Sequence, residues 1–197
     1  MSFKIHKAKP MSIDLDTVGI RTEYGGVEFR SRLEARWAAM FDGLHWRWSY
    51  EPMDLSGYVP DFAIHFRRAP LLVEVKPCLE YSELEENARK ICLSGWRGDF
   101  MVVGARLFNP DGDRSRRSFG LLGLWDLESA DGWQPADHAA AIRCYKCERL
   151  SFKHASAEWF CVACGACNPR AHFEDAEVVD IDRRWVQAGN AVQWKRP

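Results

Sequence analysis

Apolar side chains return every three or four residues between positions 27 and 44, which is the spacing of one face of an α-helix. The stripe consists of Phe29, Leu33, Trp37, Met40, Phe41 and Leu44. Gly25-Gly26 precedes it and Gly43 stands at its end, so the pattern predicts a first helix over residues 27–42. Glu34 lies beside the stripe and not opposite it, so its carboxylate is expected at the edge of the sheet on which the helix packs.

The hydrophobic period changes to two over residues 45–51 and 58–66, as it does in strands with one buried face. The two faces of the second segment consist of Phe62, Ile64 and Phe66 on one side and of Asp61, Ala63 and His65 on the other. Residues 71–76 alternate in the same way. The polar connection 67–70 ends in a proline, which predicts a hairpin between the two runs.

Pairing Phe66 with Leu71 gives the expected register of this hairpin. Asp61 then lies opposite Lys76, with Glu74 on the same face. A register shift of two residues keeps this grouping, whereas a shift of one would bury the charges. Two carboxylates about 5 Å apart across a strand pair repel each other unless a cation or protons lie between them. The alternative interpretation is a surface hairpin whose charged side chains form solvated ion pairs.

Three more elements follow in the pattern, an amphipathic helix and two strands, at residues 79–93, 99–105 and 119–127. Beyond Asp131 the sequence is typical of a loop, up to a cysteine-rich region. Residues 176–194 are expected to form a short strand or helix that packs back on the core through Trp185 and Trp194. The predicted order of the main elements is α-β-β-β-α-β, which makes the chain an α/β protein.

Pro60-Asp61, followed after a hairpin by Glu74-Val75-Lys76, resembles the signature of the PD-(D/E)XK nuclease superfamily. Glu34 on the preceding helix stands where that family places a further acidic residue. The resemblance covers roughly residues 20–105, and it is carried by the ordered set of these motifs, because E-x-K alone is common. It implies a restriction-endonuclease-like αβββαβ core with a mixed central sheet, and a metal-dependent nuclease.

The resemblance also implies which side chains act, namely Glu34, Asp61, Glu74 and Lys76. Asp61 and Glu74, with the backbone carbonyl of Val75, would bind Mg²⁺ or Mn²⁺, since hard cations prefer oxygen ligands. Glu34 would add a ligand directly or through water. Lys76 would orient the attacking water and stabilise developing negative charge, and it would accept a proton only if its pKa fell well below about 10.4.

Two groups of arginines are candidate contacts to phosphate oxygens. The first group lies on the predicted helix near Glu34 and consists of Arg30, Arg32 and Arg36. The second lies in the loop 111–118 between two apolar runs and consists of Arg114, Arg116 and Arg117. The alternative for both groups is an ordinary solvated surface.

The cysteines give a second signal. Cys144-x-x-Cys147 and Cys161-x-x-Cys164 are two pairs separated by thirteen residues, the arrangement of a zinc ribbon in which two knuckles close one tetrahedral site. Cys167 is an alternative member of the second pair, and His154 or His172 are alternative ligands. Disulfides and redox catalysis are competing interpretations, but disulfides suit secreted chains. The expected domains are a nuclease core (1–140), a zinc-ribbon-like module (141–175) and a C-terminal segment (176–197).

Composition limits the class of protein. The chain has 197 residues, 47% of them hydrophobic and 28% charged, which is typical of a folded globular protein. No run approaches about 20 apolar residues, and the first residues lack the apolar stretch of a signal peptide, so a cytoplasmic protein without a membrane segment is expected. The net charge of −1 argues weakly against nucleic-acid binding, although local basic patches matter more than the total.

These observations together predict a metal-dependent DNA endonuclease with catalytic Mg²⁺ or Mn²⁺ and structural Zn²⁺. The expected partner is nucleic acid, with DNA ahead of RNA, and a homodimer or a larger nucleoprotein assembly is an expected form. One alternative is a structure-selective or transposition-type nuclease of the same superfamily. The other is a zinc-ribbon protein that binds nucleic acid or organises an assembly on a nuclease-like fold without turnover. Analogy with the family suggests a phage, mobile-element or defence system.

Overall fold

Three helices and ten strands are present in the parts of the chain that the computed structural model describes, which are residues 19–65, 69–109, 112–125, 137–153, 164 and 173–193. The helices are α1 (Arg32–Gly43), α2 (Glu83–Leu93) and α3 (Val178–Ala191). The strands are β1 (Thr22–Tyr24), β2 (Val27–Phe29), β3 (Trp48–Tyr50), β4 (Phe62–His65), β5 (Pro70–Val75), β6 (Phe100–Phe108), β7 (Ser118–Gly123), β8 (Asp137–Cys144), β9 (Leu150–Lys153) and β10 (Phe173–Asp175).

Eight of these strands form one mixed sheet in the order β10-β8-β7-β6-β5-β4-β3, with β9 also paired to β8. Strands β5 and β6 run parallel, because α2 connects them as a crossover, and the other neighbouring pairs are antiparallel. The predicted mixed α/β class is confirmed, and α1, β3, β4, β5, α2 and β6 follow one another in the predicted order. Strands β1 and β2 form a separate hairpin.

The sheet is covered on both faces, which explains the long buried runs in β5 and β7. The larger apolar cluster contains the inward residues of α1 and α3 and one face of the sheet, including Trp37, Phe41, Phe62, Val73 and Trp185. The smaller cluster lies on the opposite face under α2 and includes Leu72, Leu84, Ile91, Val102 and Leu121. Asp61 directly precedes β4, Glu74 lies near the end of β5, and Glu34 lies in the first turn of α1.

The first helix starts later than its hydrophobic pattern predicts. Residues 27–29 form strand β2 of a hairpin, and Gly25 and Gly26 make its turn with φ of +59° and +80°. Helix α1 begins after Ser31, whose hydroxyl oxygen accepts a hydrogen bond from the Glu34 N–H at 3.1 Å. This is a helix N-cap. Phe29 precedes the helix but is still fully buried, so the apolar stripe extends beyond the helix itself.

The β4–β5 hairpin differs from the predicted register by two residues. Phe62 pairs with Val73 and Ile64 pairs with Leu71, whereas the prediction paired Phe66, which lies outside the described residues, with Leu71. Because the shift is even, every side chain keeps its predicted face. Extending the observed pairing by one residue sets Asp61 across from residue 74 and not, as predicted, across from residue 76.

The start of the second helix and the region before the cysteines also differ from the prediction. Helix α2 starts at Glu83 and not at residue 79, because its carboxylate accepts hydrogen bonds from the backbone N–H groups of Leu79 and Glu80 at 2.9 and 3.0 Å and holds them in a turn. Residues 137–140, expected to belong to a loop, are part of strand β8, and the expected domain boundary at 140/141 falls inside this strand.

The C-terminal helix α3 packs back on the core as predicted. Its Trp185 ring lies 4.7 Å from the Trp37 ring of α1, measured between ring centroids. Trp194 lies outside the described residues. Among the helices of the described residues, none combines the length and apolar character needed to cross a membrane.

Candidate functional site

Three carboxylates predicted to act together are almost completely buried near the ends of α1, β4 and β5. The exposed fractions are 8% for Glu34, 4% for Asp61 and 6% for Glu74. Burying a carboxylate is costly unless hydrogen bonds or opposite charges compensate it. The partners of each carboxylate therefore define the site.

Asp61 connects the Pro-Asp and Glu-x-Lys segments. Its Oδ2 accepts a hydrogen bond from the Val75 N–H at 2.7 Å, and its Oδ1 forms an ion pair with the Arg30 guanidinium. Burial, and then the charge of Glu74, raises the pKa of Asp61 to about 7, although the Val75 N–H and Lys76 act in the opposite direction. The Asp61 side chain is therefore poised between its protonated and ionised forms near neutral pH.

Pro60 explains why the Val75 carbonyl lacks a backbone partner on the side of β4, while the Val75 N–H donates to the Asp61 side chain. Leu72 and Lys76 donate their N–H groups to β6, so the backbone groups of residues 71, 73 and 75 face β4. Extending the register by two residues beyond the Phe62–Val73 pair places Val75 across from Pro60. Proline has no N–H, so it cannot donate to the Val75 carbonyl at this position. The Val75 carbonyl thus meets no backbone donor from β4, as a cation ligand on this strand requires.

Glu74 has two partners. The Lys76 ammonium forms an ion pair with Oε1, and the Tyr58 hydroxyl donates a hydrogen bond to Oε2 at 2.7 Å. Burial, and then the charge of Glu74, raises the pKa of Tyr58, so this phenol remains a donor across the physiological range. Glu74 and Lys76 lie two residues apart on one strand, and their contact keeps the lysine at the site.

Glu34 is held by hydroxyl groups. Its Oε1 accepts a hydrogen bond from Ser31 at 2.9 Å, and its Oε2 accepts one from the Tyr50 hydroxyl at 2.6 Å. The Tyr50 oxygen in turn accepts the Arg30 backbone N–H at 3.1 Å. Burial, and then the hydrogen bond to Glu34, raises the pKa of Tyr50 to about 12. Ser31 at the start of α1 and Tyr50 of β3 thus hold the Glu34 carboxylate, and Tyr50 also binds the backbone of Arg30.

Arg30, which was predicted to contact phosphate, forms ion pairs with carboxylates in this structure. It pairs with Asp61, its Nε lies 3.1 Å from Glu51 Oε1, and the same Nε lies 3.9 Å from Glu34 Oε2. Its side chain is 54% exposed, whereas that of Lys76 is only 26% exposed. Arg30 therefore sits at the solvent side of the carboxylates and Lys76 sits deeper.

The donor chemistry of this group fits a hard divalent cation, which takes oxygen ligands. Within the described part of the chain, the three carboxylates do not form a group whose oxygen atoms all lie within 4.8 Å of one another. Mg²⁺ commonly uses only one or two carboxylates and keeps several waters. Asp61 and Glu74 offer two such carboxylates, while Arg30 and Lys76 provide the positive charge in this structure.

The other predicted arginines have different surroundings. Arg117 makes two contacts of 2.7 Å to the Asp182 carboxylate on α3, and Arg36 packs 3.7 Å above the Trp185 ring. Both therefore fasten α3 to the rest of the fold. Arg114 and Arg116 are exposed in the β6–β7 connection. Arg32 lines a cavity beside α3.

Three of the predicted metal-binding cysteines come together. The Sγ atoms of Cys144, Cys147 and Cys164 all lie within 4.8 Å of one another, and those of Cys144 and Cys164 are 3.9 Å apart. Tetrahedral zinc with Zn–S bonds of about 2.3 Å places two sulfurs about 3.8 Å apart, so this spacing suits a thiolate-bound metal ion. The other predicted ligands lie outside the described residues: Cys161, Cys167, His154 and His172.

Sequence reasoning missed Tyr50, Tyr58 and Ser31, which hold the carboxylates. Ser31 carries a detectable signal, because Ser-x-x-Glu before an apolar helix is a capping motif. Tyr50 and Tyr58 carry no such local signal, because each lies far along the sequence from the carboxylate that it contacts.

The chain was also compared with known proteins. No protein-family model matches it, and no curated protein and no solved structure matches it either.

Proposed function

We propose that this protein is a metal-dependent nuclease of the PD-(D/E)XK type, with a restriction-endonuclease-like core, that hydrolyses DNA internally. The observation that carries the proposal is the contact between the Asp61 carboxylate and the Val75 N–H, with Pro60 across from Val75. This contact joins the two sequence motifs at one point and leaves a backbone carbonyl beside two buried carboxylates. A surface hairpin with solvated ion pairs would leave Asp61 and Glu74 exposed, and they are not.

In this proposal Asp61, Glu74 and the Val75 carbonyl hold Mg²⁺ or Mn²⁺, and Glu34 contributes from α1. The bound ion would supply Lewis-acid activation of the phosphate and of the attacking water. Tyr58 and Tyr50 fix Glu74 and Glu34 by hydrogen bonds. Lys76, held beside Glu74, would orient the nucleophile and stabilise charge that develops on the phosphate oxygens.

Thiolate ligands select zinc over magnesium, so we assign a structural Zn²⁺ to Cys144, Cys147, Cys164 and a fourth ligand, with Cys161 as the first choice. Strand β8 carries Cys144 into the sheet, and α3 follows the cysteine region. Metal binding there would stabilise the end of the sheet on which α3 packs. Metal analysis of the purified protein should find one zinc per chain.

The direct test is a cleavage assay on labelled linear, circular, single-stranded and branched DNA with Mg²⁺ and with Mn²⁺. Glu74→Gln and Lys76→Ala should abolish cleavage while the circular-dichroism spectrum stays unchanged. Glu85→Gln is the matched control, because Glu85 is an exposed carboxylate on α2. Cleavage by Glu74→Gln at the parent rate would rule out the proposed site. Preference for branched substrates would favour the structure-selective or transposition-type alternative.

A second candidate function is binding of nucleic acid without turnover. Two observations favour it: Arg30 and Lys76 already neutralise Asp61 and Glu74, and the cysteines are the only metal-type group of three within the described residues. A binding protein should keep its DNA affinity in brief EDTA treatment and yield no Mg²⁺- or Mn²⁺-dependent products. Appearance of such products, lost in Glu74→Gln, would exclude this second function.

A further inference from the structure

A cavity of about 330 Å³ lies between α1, α3 and the chain that follows β5. Its walls include Arg32 and Arg36 from α1, Gly189 and Asn190 from α3, and Pro77. Volumes of about 300–1,000 Å³ are typical of small-molecule sites. Pro77 directly follows Lys76, and adjacent Cα atoms lie about 3.8 Å apart, so this cavity borders the carboxylate site.

The positive charge in this cavity lacks a counter-charge. The Nε atoms of Arg32 and Arg36 are buried and have no hydrogen-bond partner among the residues that the structure describes. No Asp or Glu is among the described residues that line the cavity. Burial lowers the pKa of Arg36 to about 10, and its nearest polar contact is the Trp185 carbonyl oxygen at 3.0 Å. Arg36 has the Trp185 carbonyl and ring as partners, but no carboxylate among the described lining residues balances the two guanidinium charges, so an anionic ligand would supply a counter-charge.

Gly189 lets the Arg36 guanidinium lie close to the backbone of α3 at the wall of the cavity. A Cβ atom at this position would lie 3.2 Å from the Cζ and Nε atoms of Arg36. Glycine inside a helix costs about 1 kcal/mol relative to alanine, and Gly189 lies within α3. Glycine at this position therefore allows the Arg36 guanidinium to line the cavity next to α3.

The mixed lining indicates the kind of ligand. Arginine binds phosphate through paired N–H donors, whereas Leu33, Val186 and Val192 offer apolar surface for a ring. Asn190 and Gln193 add amide groups that can hydrogen-bond to a base or sugar. A ligand with one phosphate and one flat, partly polar ring matches all three features.

We infer that this cavity binds one nucleotide of the DNA strand next to the cleavage position, with its phosphate on Arg32 and Arg36. The inference rests on the proposed nuclease function, because the border with Lys76–Pro77 is what connects the cavity to a strand at the carboxylates. The cavity then sets which strand segment lies beside the scissile phosphate. Arg32 and Arg36 contact the substrate in this arrangement but do not take part in bond cleavage.

Binding can be measured separately from cleavage by working without added divalent cations in a Glu74→Gln background. The probe is a fluorescein-labelled 12-nucleotide single strand, and its anisotropy reports the dissociation constant. Arg32→Gln should weaken binding at least fivefold, and Arg32→Lys should restore part of the loss. Arg89→Gln, which removes an exposed arginine of α2, should stay within twofold of the parent. Gly189→Ala, which fills the cavity without removing charge, should also weaken binding.

The NMR signals of the Arg32 and Arg36 Nε–H groups identify the ligand source. The 12-nucleotide strand should shift both signals, and inorganic phosphate or thymidine monophosphate should shift them only at much higher concentration. Equal affinity for Arg32→Gln and the parent would overturn the inference, and so would shifts with free nucleotide or an acidic peptide but not with the strand. Cleavage by the chain with an intact Glu74 is scored independently, so loss of the proposed nuclease function and loss of the cavity assignment give different results.

Discussion

Replacing Asp61 by asparagine tests the electrostatics of the site without any substrate. Burial and the neighbouring Glu74 raise the Asp61 pKa from an ordinary value of 3.8 to about 7. Between these two values the native state binds more protons at Asp61 than the unfolded state does. The stability of the parent protein should therefore fall as pH rises from about 4 to about 7, and the full penalty is present above pH 7.

The size of this penalty follows from the same pKa. A difference of one pKa unit between two states corresponds to about 1.4 kcal/mol, so the difference between 3.8 and about 7 gives an upper limit of about 4 kcal/mol. The asparagine side chain keeps an oxygen for the Val75 N–H but loses the ion pair with Arg30, whose side chain is 54% exposed. Because Asp61 itself is buried, losing this pair costs more than the about 1 kcal/mol that a fully exposed pair contributes. We therefore expect Asp61→Asn to gain on the order of 1–3 kcal/mol at pH 8 and little at pH 5.

The assay is urea unfolding followed by circular dichroism at pH 5, 6, 7 and 8, without added divalent cations and without chelator, so that the zinc proposed at the cysteines would stay in place. Addition of Mn²⁺ at pH 8 should stabilise the parent and not Asp61→Asn, because the ionised Asp61 carboxylate is a cation ligand and the asparagine amide removes that charge. A variant that is less stable than the parent at pH 8, or a difference that does not change with pH, would refute the reasoning.

Three further changes probe the partners of the carboxylates and the cysteine cluster. Tyr58→Phe should lower the urea-unfolding free energy by about 1–3 kcal/mol, since it leaves a Glu74 oxygen without its donor, and it should reduce cleavage in the same preparation. Ser31→Ala should cost about 1 kcal/mol in the same assay by removing the N-cap of α1, with Ser115→Ala in the exposed β6–β7 connection as control. Cys147→Ser should lower the zinc content measured by metal analysis and the thermal midpoint, whereas Cys92→Ser on α2 should change neither zinc content nor cleavage.

The sequence predicts which side chains share one face of the strands, because this depends only on the alternation of side chains along a strand and on the spacing of the motifs. Asp61, Glu74 and Lys76 were expected on one face. In the structure Lys76 pairs with Glu74 and Asp61 accepts the N–H of Val75 between them, although the register is shifted by two residues. An even shift in register leaves every side chain on the same face of the sheet, but it changes which residue lies opposite on the neighbouring strand. The exact pairing depends on the connection 66–69, whose composition indicates a turn but not its length.

The parts that were missed have weak local signals. Strand β8 contains Ala139, Ala140 and Ala141, and alanine favours strands poorly, so its position is decided by pairing with β7 and β9. The start of α1 was placed too early because Phe29 continues the apolar stripe although it belongs to β2. Burial in a common core gives both elements the same pattern, and the N-cap at Ser31 is what separates them.

The contacts of the two cationic side chains suggest different roles within the proposed site. Arg30 touches Asp61 and Glu51 from the solvent side, and its side chain is 54% exposed, so water would solvate the guanidinium if a divalent cation replaced it at the buried Asp61 carboxylate. Lys76 is only 26% exposed and lies two residues from Glu74 on the same strand, so it remains at the carboxylate. Arg30 released in this way would become available to phosphate oxygens, and the role expected for it from the sequence would then apply only to the metal-bound protein.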